Sequence, residues 1–153
     1  MGLTLEFYQG DPDALALAFE NAEFEVLDDP GVVARTADLS LHITPRDLNL
    51  LSLQVGRITG ADPMELRPHL DIVVDEEDRG LLAVSASWVA YLAALKPSHV
   101  ASLVSAWFEA MQREHGDSGI RVTPEATRGV RDLVDLCVAA RLAGSSVMHA
   151  WML

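Results

Sequence analysis

The chain has 153 residues, of which 50% are hydrophobic and 22% are charged. This length suits one folded domain of residues 1–153, and the composition excludes an intrinsically disordered or collagen-like chain. Twenty-three acidic residues oppose eleven Lys and Arg, which gives a formal net charge of −12. Because nucleic acids and anionic membranes bind clusters of Lys and Arg, we expect neither as a partner.

Other features of the sequence indicate the type of source organism and the cellular location of the protein. Lys96 is the only lysine beside ten arginines, which together with abundant Ala is typical of a high-GC bacterial genome. The chain starts without the basic and apolar stretches of a secretory signal. Its longest uncharged run, residues 80–95, is shorter than the roughly 20 residues needed to cross a bilayer. With Cys137 as the only cysteine, these features predict a cytoplasmic protein without an intramolecular disulfide.

The first part of the chain predicts two strands, each followed by a helix. Apolar and polar residues alternate over residues 3–8 and again over 38–43, which is typical of half-buried strands. Asp11-Pro12 predicts a helix start, with Asp11 as the N-cap and Pro12 at the first helical position. The segment Thr44-Pro45-Arg46-Asp47 resembles a capping box and predicts a helix that runs to about Val55.

The second part predicts a short helix from Asp62, a strand over 71–75 and a turn over 76–80. Between Gly80 and Phe108 only Lys96 is charged, so this segment is predicted to form a buried helical hairpin. The apolar run at 147–152 predicts a strand inserted in the sheet. Helices are predicted near residues 86–95, 98–115 and 124–142.

Together these elements predict a helix-rich α+β domain. We expect a small mixed or antiparallel sheet of about three to five strands, covered by about five helices. At its start, the chain leads from Met1-Gly2-Leu3 into a strand with Phe7-Tyr8. It closes with a long helix, Ala143-Gly144 and a strand ending in Trp151. This outline resembles the YfbM-like family of small bacterial proteins. This resemblance implies an α+β fold and brings no assigned activity or functional residue.

No local catalytic or metal-binding motif occurs in the sequence. The five histidines are widely scattered, and neither Cys-x-x-Cys nor His-Glu-x-x-His is present. Gly-x-Ser-x-Gly and the glycine-rich phosphate loops are absent as well. His115, just before Gly116, suits a helix C-terminus electrostatically. We therefore expect no metal and no cofactor, and a non-enzymatic role is favoured.

Two groups of acidic residues are candidates for protein binding. Asp75, Glu76, Glu77 and Asp78 form the densest charge cluster, and Asp28-Asp29 could extend it if the fold brings the two groups together. The leading hypothesis is an acidic protein-binding module, immunity- or inhibitor-like, whose partner is a basic protein.

Two alternatives remain open at this point. One is a small hydrolase or small-molecule-binding protein with an aromatic-lined pocket, for which the candidate residues are Trp88, Tyr91, Trp107, His42 and His149. The other is a structural homodimer formed through the apolar residues of segment 80–108.

Overall fold

The computed structural model describes residues 4–40, 44–62 and 64–153. Its strands are β1 Thr4–Gly10, β2 Val33–Asp38, β3 His69–Asp75, β4 Arg79–Val84 and β5 Ser146–Met152. Its α-helices are α1 Pro12–Asn21, α2 Pro45–Thr59, α3 Ala86–Ala93, α4 Val100–His115 and α5 Pro124–Ala143. Short 3₁₀ helices cover Phe24–Asp28 and Pro97–His99. This content in the described ranges confirms the predicted helix-rich α+β class.

The five strands form one antiparallel sheet in the order β2-β1-β5-β4-β3. The last strand of the chain, β5, lies at the centre and pairs with β1 on one side and β4 on the other. Phe7 of β1 is the register partner of both Ala37 in β2 and His149 in β5. The prediction that residues 147–152 insert into the sheet is confirmed.

Helices cover the two faces of the sheet unequally. Alternation along β1 sends Leu5 and Phe7 to one face and Tyr8 to the other. The larger core packs Leu5 and Phe7 with side chains of α2, α3, α4 and α5. The smaller core packs Tyr8 with Leu15 and Phe19 of α1. The molecule therefore has one thick helical layer, the sheet, and a single helix with its following 3₁₀ turn on the opposite face.

Local capping sets several helix ends where the sequence predicts them. The Asp11 carboxylate accepts hydrogen bonds from two backbone N–H groups in the first turn of α1. Thr123 Oγ accepts the N–H of Ala126 at 3.1 Å and caps α5. Gly144 has a φ of 63°, a left-handed conformation that suits glycine, and it ends α5 directly before β5.

The strand predicted over 38–43 is wrong in its position. The observed strand β2 covers Val33–Asp38, while residues 41–43 lie outside the described residues. β2 is an edge strand in which Val33 and Ala37 are buried and the three residues between them are exposed. With so few buried positions its sequence lacks a period-2 apolar pattern, so alternation further along the chain was the stronger signal.

Residues 80–84 are a second correction, because they form most of strand β4 instead of the first arm of a helical hairpin. β4 lies between β5 and β3 and buries Gly80, Leu81 and Val84. A continuous apolar run of this kind is shared by interior strands and buried helices, so periodicity does not separate them. The predicted helices that follow it are present as α3 and α4.

The short helix predicted from Asp62 is a turn in the described residues. Asp62 accepts the N–H of Met64 with its carboxylate and that of Glu65 with its carbonyl, and no further helical bond follows. The next residues make tertiary contacts in place of a helical turn. Leu66 is buried in the larger core, and the Pro68 carbonyl accepts the N–H of Ser85. Tertiary contacts therefore stop the helix that the local sequence favours.

Candidate functional site

The acidic residues 75–78 lie at the turn between β3 and β4, where all four are exposed. Arg79 follows them and its guanidinium contacts the Asp78 carboxylate at 2.6 Å. The same group donates to the backbone carbonyls of Phe19 and Glu20, which ties the turn to the C-terminal end of α1. Arg79 thus neutralises one acid and anchors the hairpin. Asp75, Glu76 and Glu77 form no ion pair within the described ranges.

The other predicted acids, Asp28 and Asp29, do not join this cluster. They precede β2 at the end of the sheet where β1 finishes, since Gly10 pairs with Val33. Residues 75–78 lie at the end where β1 starts, because the register connects them through β4 and β5 to the first residues of β1. Six strand residues, about 20 Å, separate the two ends. Asp29 also has a local role, because its Oδ1 accepts the N–H of Gly31 at 2.8 Å.

Next to the acidic turn, the helical layer no longer covers the sheet. One row of register partners runs from Phe7 through His149 and Leu82 to Ile72. Phe7 is 0% exposed, His149 1%, Leu82 is half-buried and Ile72 is 66% exposed. Burial therefore falls steadily towards β3, and this edge strand presents an apolar side chain to solvent.

Trp151 is a further, partly exposed apolar residue in this part of the sheet. It is half-buried and is the register partner of Gly80 in β4. A Cβ atom on Gly80 would lie 2.1 Å from Trp151 Nε1, so the indole covers the glycine backbone directly. Hereafter the β3–β4 surface means Ile72, Trp151 and the acidic residues 75–78.

Trp88 and Trp107, predicted to line a pocket, are structural residues of the larger core. Both are 0% exposed. Trp88 Nε1 donates to Ser52 Oγ at 2.8 Å, and Trp107 Nε1 donates to the Asp47 carbonyl at 2.8 Å. Their polar atoms are satisfied inside the protein, and neither side chain lines the groove described below.

The other three pocket candidates are dispersed. Tyr91 is half-buried and its hydroxyl donates to the Glu65 carboxylate. That hydrogen bond, with weaker contributions from desolvation and nearby negative charge, raises the pKa of Tyr91 above its ordinary value. His149 is buried and stacks on Phe7 with ring centroids 4.6 Å apart. His42 lies outside the described residues.

The predicted dimer segment, 80–108, uses its large apolar side chains in the chain's own core. Trp88, Leu92, Leu103 and Trp107 are all 0% exposed. The exposed positions of this segment carry small or polar side chains and a proline. The apolar excess that suggested a dimer interface is thus accounted for by intramolecular packing in the described structure, and the dimer itself stays a prediction.

A groove that the sequence did not indicate runs along α2. Its volume is about 650 Å³, and its walls are α2 and the segment 61–68. Two arginines face it, Arg57 from α2 and Arg67 from the segment. The lining residues are Asn49, Ser52, Leu53, Gly56, Arg57, Ala61, Leu66, Arg67 and Pro68. No sequence signal marks this groove, because its shape depends on how the segment that follows α2 folds back against that helix.

Asp47 and His115 form a partly buried contact that sequence reasoning also missed. His115 Nε2 lies 2.7 Å from Asp47 Oδ1, and a carboxylate only accepts hydrogen bonds, so Nε2 is the donor. Asp47 Oδ2 accepts from the backbone N–H and hydroxyl of Thr44, at 2.6 and 3.0 Å. The predicted capping box is confirmed, and Asp47 additionally joins the start of α2 to the end of α4. No group of three or more His, Cys, Asp or Glu side chains in the described ranges could hold a metal.

The sequence matches no protein-family model and no curated protein. The structure is similar to the crystal structure of YfbM from Escherichia coli, a protein of unknown function. The two chains share 16% sequence identity with a TM-score of 0.43, and the alignment covers 98% of this chain and 99% of the other. No activity comes with this similarity. No helix of the described structure is long and apolar enough to cross a membrane.

Proposed function

We propose that this protein is a non-enzymatic binding module that recognises a basic protein through the β3–β4 surface. The observation that carries the proposal is the position of exposed acids beside exposed apolar side chains: residues 75–78 are exposed, and Ile72 is 66% exposed on the adjoining edge strand. Acidic residues attract a basic partner over a distance, while apolar side chains add affinity after contact.

The acidic part of this surface is available for an external partner. Arg79 is the base beside it, and its guanidinium is already engaged by Asp78 and two backbone carbonyls. In the described ranges no Lys or Arg pairs with Asp75, Glu76 or Glu77. Like charges at this spacing repel one another, so a basic partner would relieve the repulsion on binding.

An immunity- or inhibitor-like role fits this chemistry. In such a role an acidic protein covers the basic working surface of its target, and charge complementarity increases the association rate. The net charge of −12 favours such a target over nucleic acid and over an anionic membrane. The proposal places the protein in the cytoplasm, where Cys137 would remain reduced.

Affinity capture with three matched baits tests the proposal. The baits are the wild type, the neutralised variant Asp75→Asn/Glu76→Gln/Glu77→Gln, and a control, Glu109→Gln/Asp132→Asn/Asp135→Asn. The control removes the same number of charges from α4 and α5. Extracts of the source organism are used at low ionic strength, and captured proteins are identified and titrated against each bait.

We expect a basic protein that binds the wild type and the control equally and binds the neutralised variant at least tenfold more weakly. Ile72→Asn should weaken the same complex without affecting the fold. Capture of no protein, of a protein without a basic surface, or of a partner that binds the neutralised variant equally well would overturn the proposal.

A further inference from the structure

The groove along α2 has a second feature besides its size: among the described residues, no acid forms an ion pair with the two positive charges that face it. Arg57 Nη1 donates to Gln54 Oε1 at 3.2 Å, and Arg67 Nη2 contacts the Met64 sulfur at 3.5 Å. Neither guanidinium forms an ion pair in the described structure. In a chain with 23 acids and only 11 Lys and Arg, two such arginines at one groove form a local positive site.

Two acids close in sequence, Asp62 and Glu65, are engaged by other contacts. The Asp62 carboxylate accepts the N–H of Met64 at 2.8 Å, which closes the turn at 62–65. The Glu65 carboxylate accepts the hydroxyl of Tyr91, and the Glu65 carbonyl accepts the hydroxyl of Ser87. These two acids therefore stabilise the segment 61–68 and its contact with α3. The guanidiniums of Arg57 and Arg67 remain available to a ligand.

The rest of the groove is mainly apolar. Leu53 on α2 is 46% exposed although it is a large aliphatic side chain, while Leu66 and Pro68 are buried in the opposite wall. A Cβ atom on Gly56 would lie 2.8 Å from Leu66 Cδ1, so the glycine is what allows the two walls to approach. An apolar cleft with a few charged groups at its edge is the usual form of a small-molecule site.

We propose that this groove binds a small amphiphilic anion, with an apolar chain along Leu53 and an anionic head at Arg57 and Arg67. A guanidinium offers paired N–H donors that match a carboxylate or a phosphate, and a chain buried against leucine contributes through removal of apolar area from water. This inference is independent of the proposed function, because the groove shares no residue with the β3–β4 surface.

Calorimetric titration with four probes tests the chemical class. The probes are octanoate and octyl phosphate as complete ligands, octanol as the chain without a charge, and acetate as the head without a chain. We expect octanoate or octyl phosphate to bind at least tenfold more tightly than octanol and acetate. Whichever of the two complete probes binds more tightly identifies the preferred head group. Amide shifts of Gly56 and Leu66 in NMR spectra locate the binding.

Variants with matched charge changes test the two arginines. Arg57→Gln/Arg67→Gln should weaken the tighter probe at least tenfold, whereas Arg128→Gln/Arg131→Gln on α5 should leave its affinity unchanged within twofold. If the first variant unfolds, Arg67→Gln alone is used instead. It removes a single charge, and the guanidinium that it replaces contacts the Met64 sulfur. The proposal is overturned if neither complete probe binds, if octanol or acetate binds equally well, or if binding survives loss of the arginines.

Discussion

Asp47 illustrates how much one buried carboxylate can organise. Asp47 is 2% exposed. Its two carboxylate oxygens accept three hydrogen bonds, from the backbone N–H and hydroxyl of Thr44 and from His115 Nε2. Its carbonyl also accepts the indole N–H of Trp107. Since these partners belong to the start of α2 and to α4, one residue connects a local cap with the packing of two helices.

Asp47→Ala should therefore be much more destabilising than His115→Ala. The first change removes the cap and leaves three hydrogen-bond donors without their acceptor, which costs about 2 kcal/mol. The second removes a side chain that is 38% exposed, and we expect a loss under about 1 kcal/mol. Urea denaturation of both variants measures the difference, and equal losses would show that Asp47 acts mainly through His115.

Cys137 is a second residue whose properties follow from burial alone. It is fully buried on α5, and desolvation raises the pKa of its thiol from 9.0 to about 12. In the folded protein the thiol stays neutral while pH rises above 9, whereas the unfolded chain loses its proton there. The contribution of this group to stability is thus complete below pH 9 and is lost as pH rises towards 12.

We predict that the Cys137 thiol of the folded protein hardly reacts with a disulfide reagent at pH 8 to 9. The thiolate is the reactive form, and burial disfavours it. The same reagent should react at once when the chain is unfolded in guanidinium chloride, which serves as the control. Rapid reaction of the native protein would mean that the thiol is accessible and ionised.

At the scale of the element, the hairpin of β3 and β4 contains one fully buried and one exposed aliphatic side chain, Leu81 and Ile72. Leu81 of β4 is 0% exposed and belongs to the smaller core, where it is the register partner of Val74 and Ala150. Ile72 of β3 is 66% exposed because the helical layer does not reach the edge strand. The two residues have similar side chains in one hairpin, but Leu81 lies on an interior strand and Ile72 on the edge strand, and they differ strongly in burial.

Leu81→Ala should destabilise the protein by about 2–4 kcal/mol, because it removes buried methyl groups and leaves a cavity. Ile72→Ala should change stability by less than about 0.5 kcal/mol, as is usual for exposed positions. Chemical denaturation compares the two variants. A large loss for Ile72→Ala would indicate that another part of the protein covers β3 in solution.

At the scale of the whole molecule, charge is the dominant property. The net charge is −12, and in the described ranges the contacts between Lys, Arg or His and an acid are Arg46–Glu114, Arg79–Asp78 and His115–Asp47. Most acids therefore repel one another through solvent. Such repulsion disfavours the compact state and is screened by salt.

We accordingly expect the melting temperature to rise when NaCl is increased from about 10 to about 200 mM. The neutralised variant Asp75→Asn/Glu76→Gln/Glu77→Gln should be more stable than the wild type at the low concentration and should respond less to salt. Calorimetry of both proteins across this range provides the test. Parallel responses of the two proteins would exclude the acidic turn as a main source of the repulsion.

The sequence by itself determined the features that depend on neighbouring residues. Helix boundaries are marked locally because a cap satisfies backbone groups only two to four residues away. The examples are Asp11-Pro12, Thr44 with Asp47, and Gly144. Alternation over residues 3–8 identified β1 for the same reason, since side-chain direction along a strand is a local property. The apolar run at 147–152 identified β5.

Only the tertiary structure decided which segments meet. Gly80–Val84 became a strand because β3 and β5 flank it, and the apolar run alone is compatible with a helix. The same packing separated Asp28 and Asp29 from residues 75–78 and joined His115 to Asp47. These contacts join residues distant in the chain, so their geometry depends on the packing of the whole core and is not encoded in any short stretch of sequence.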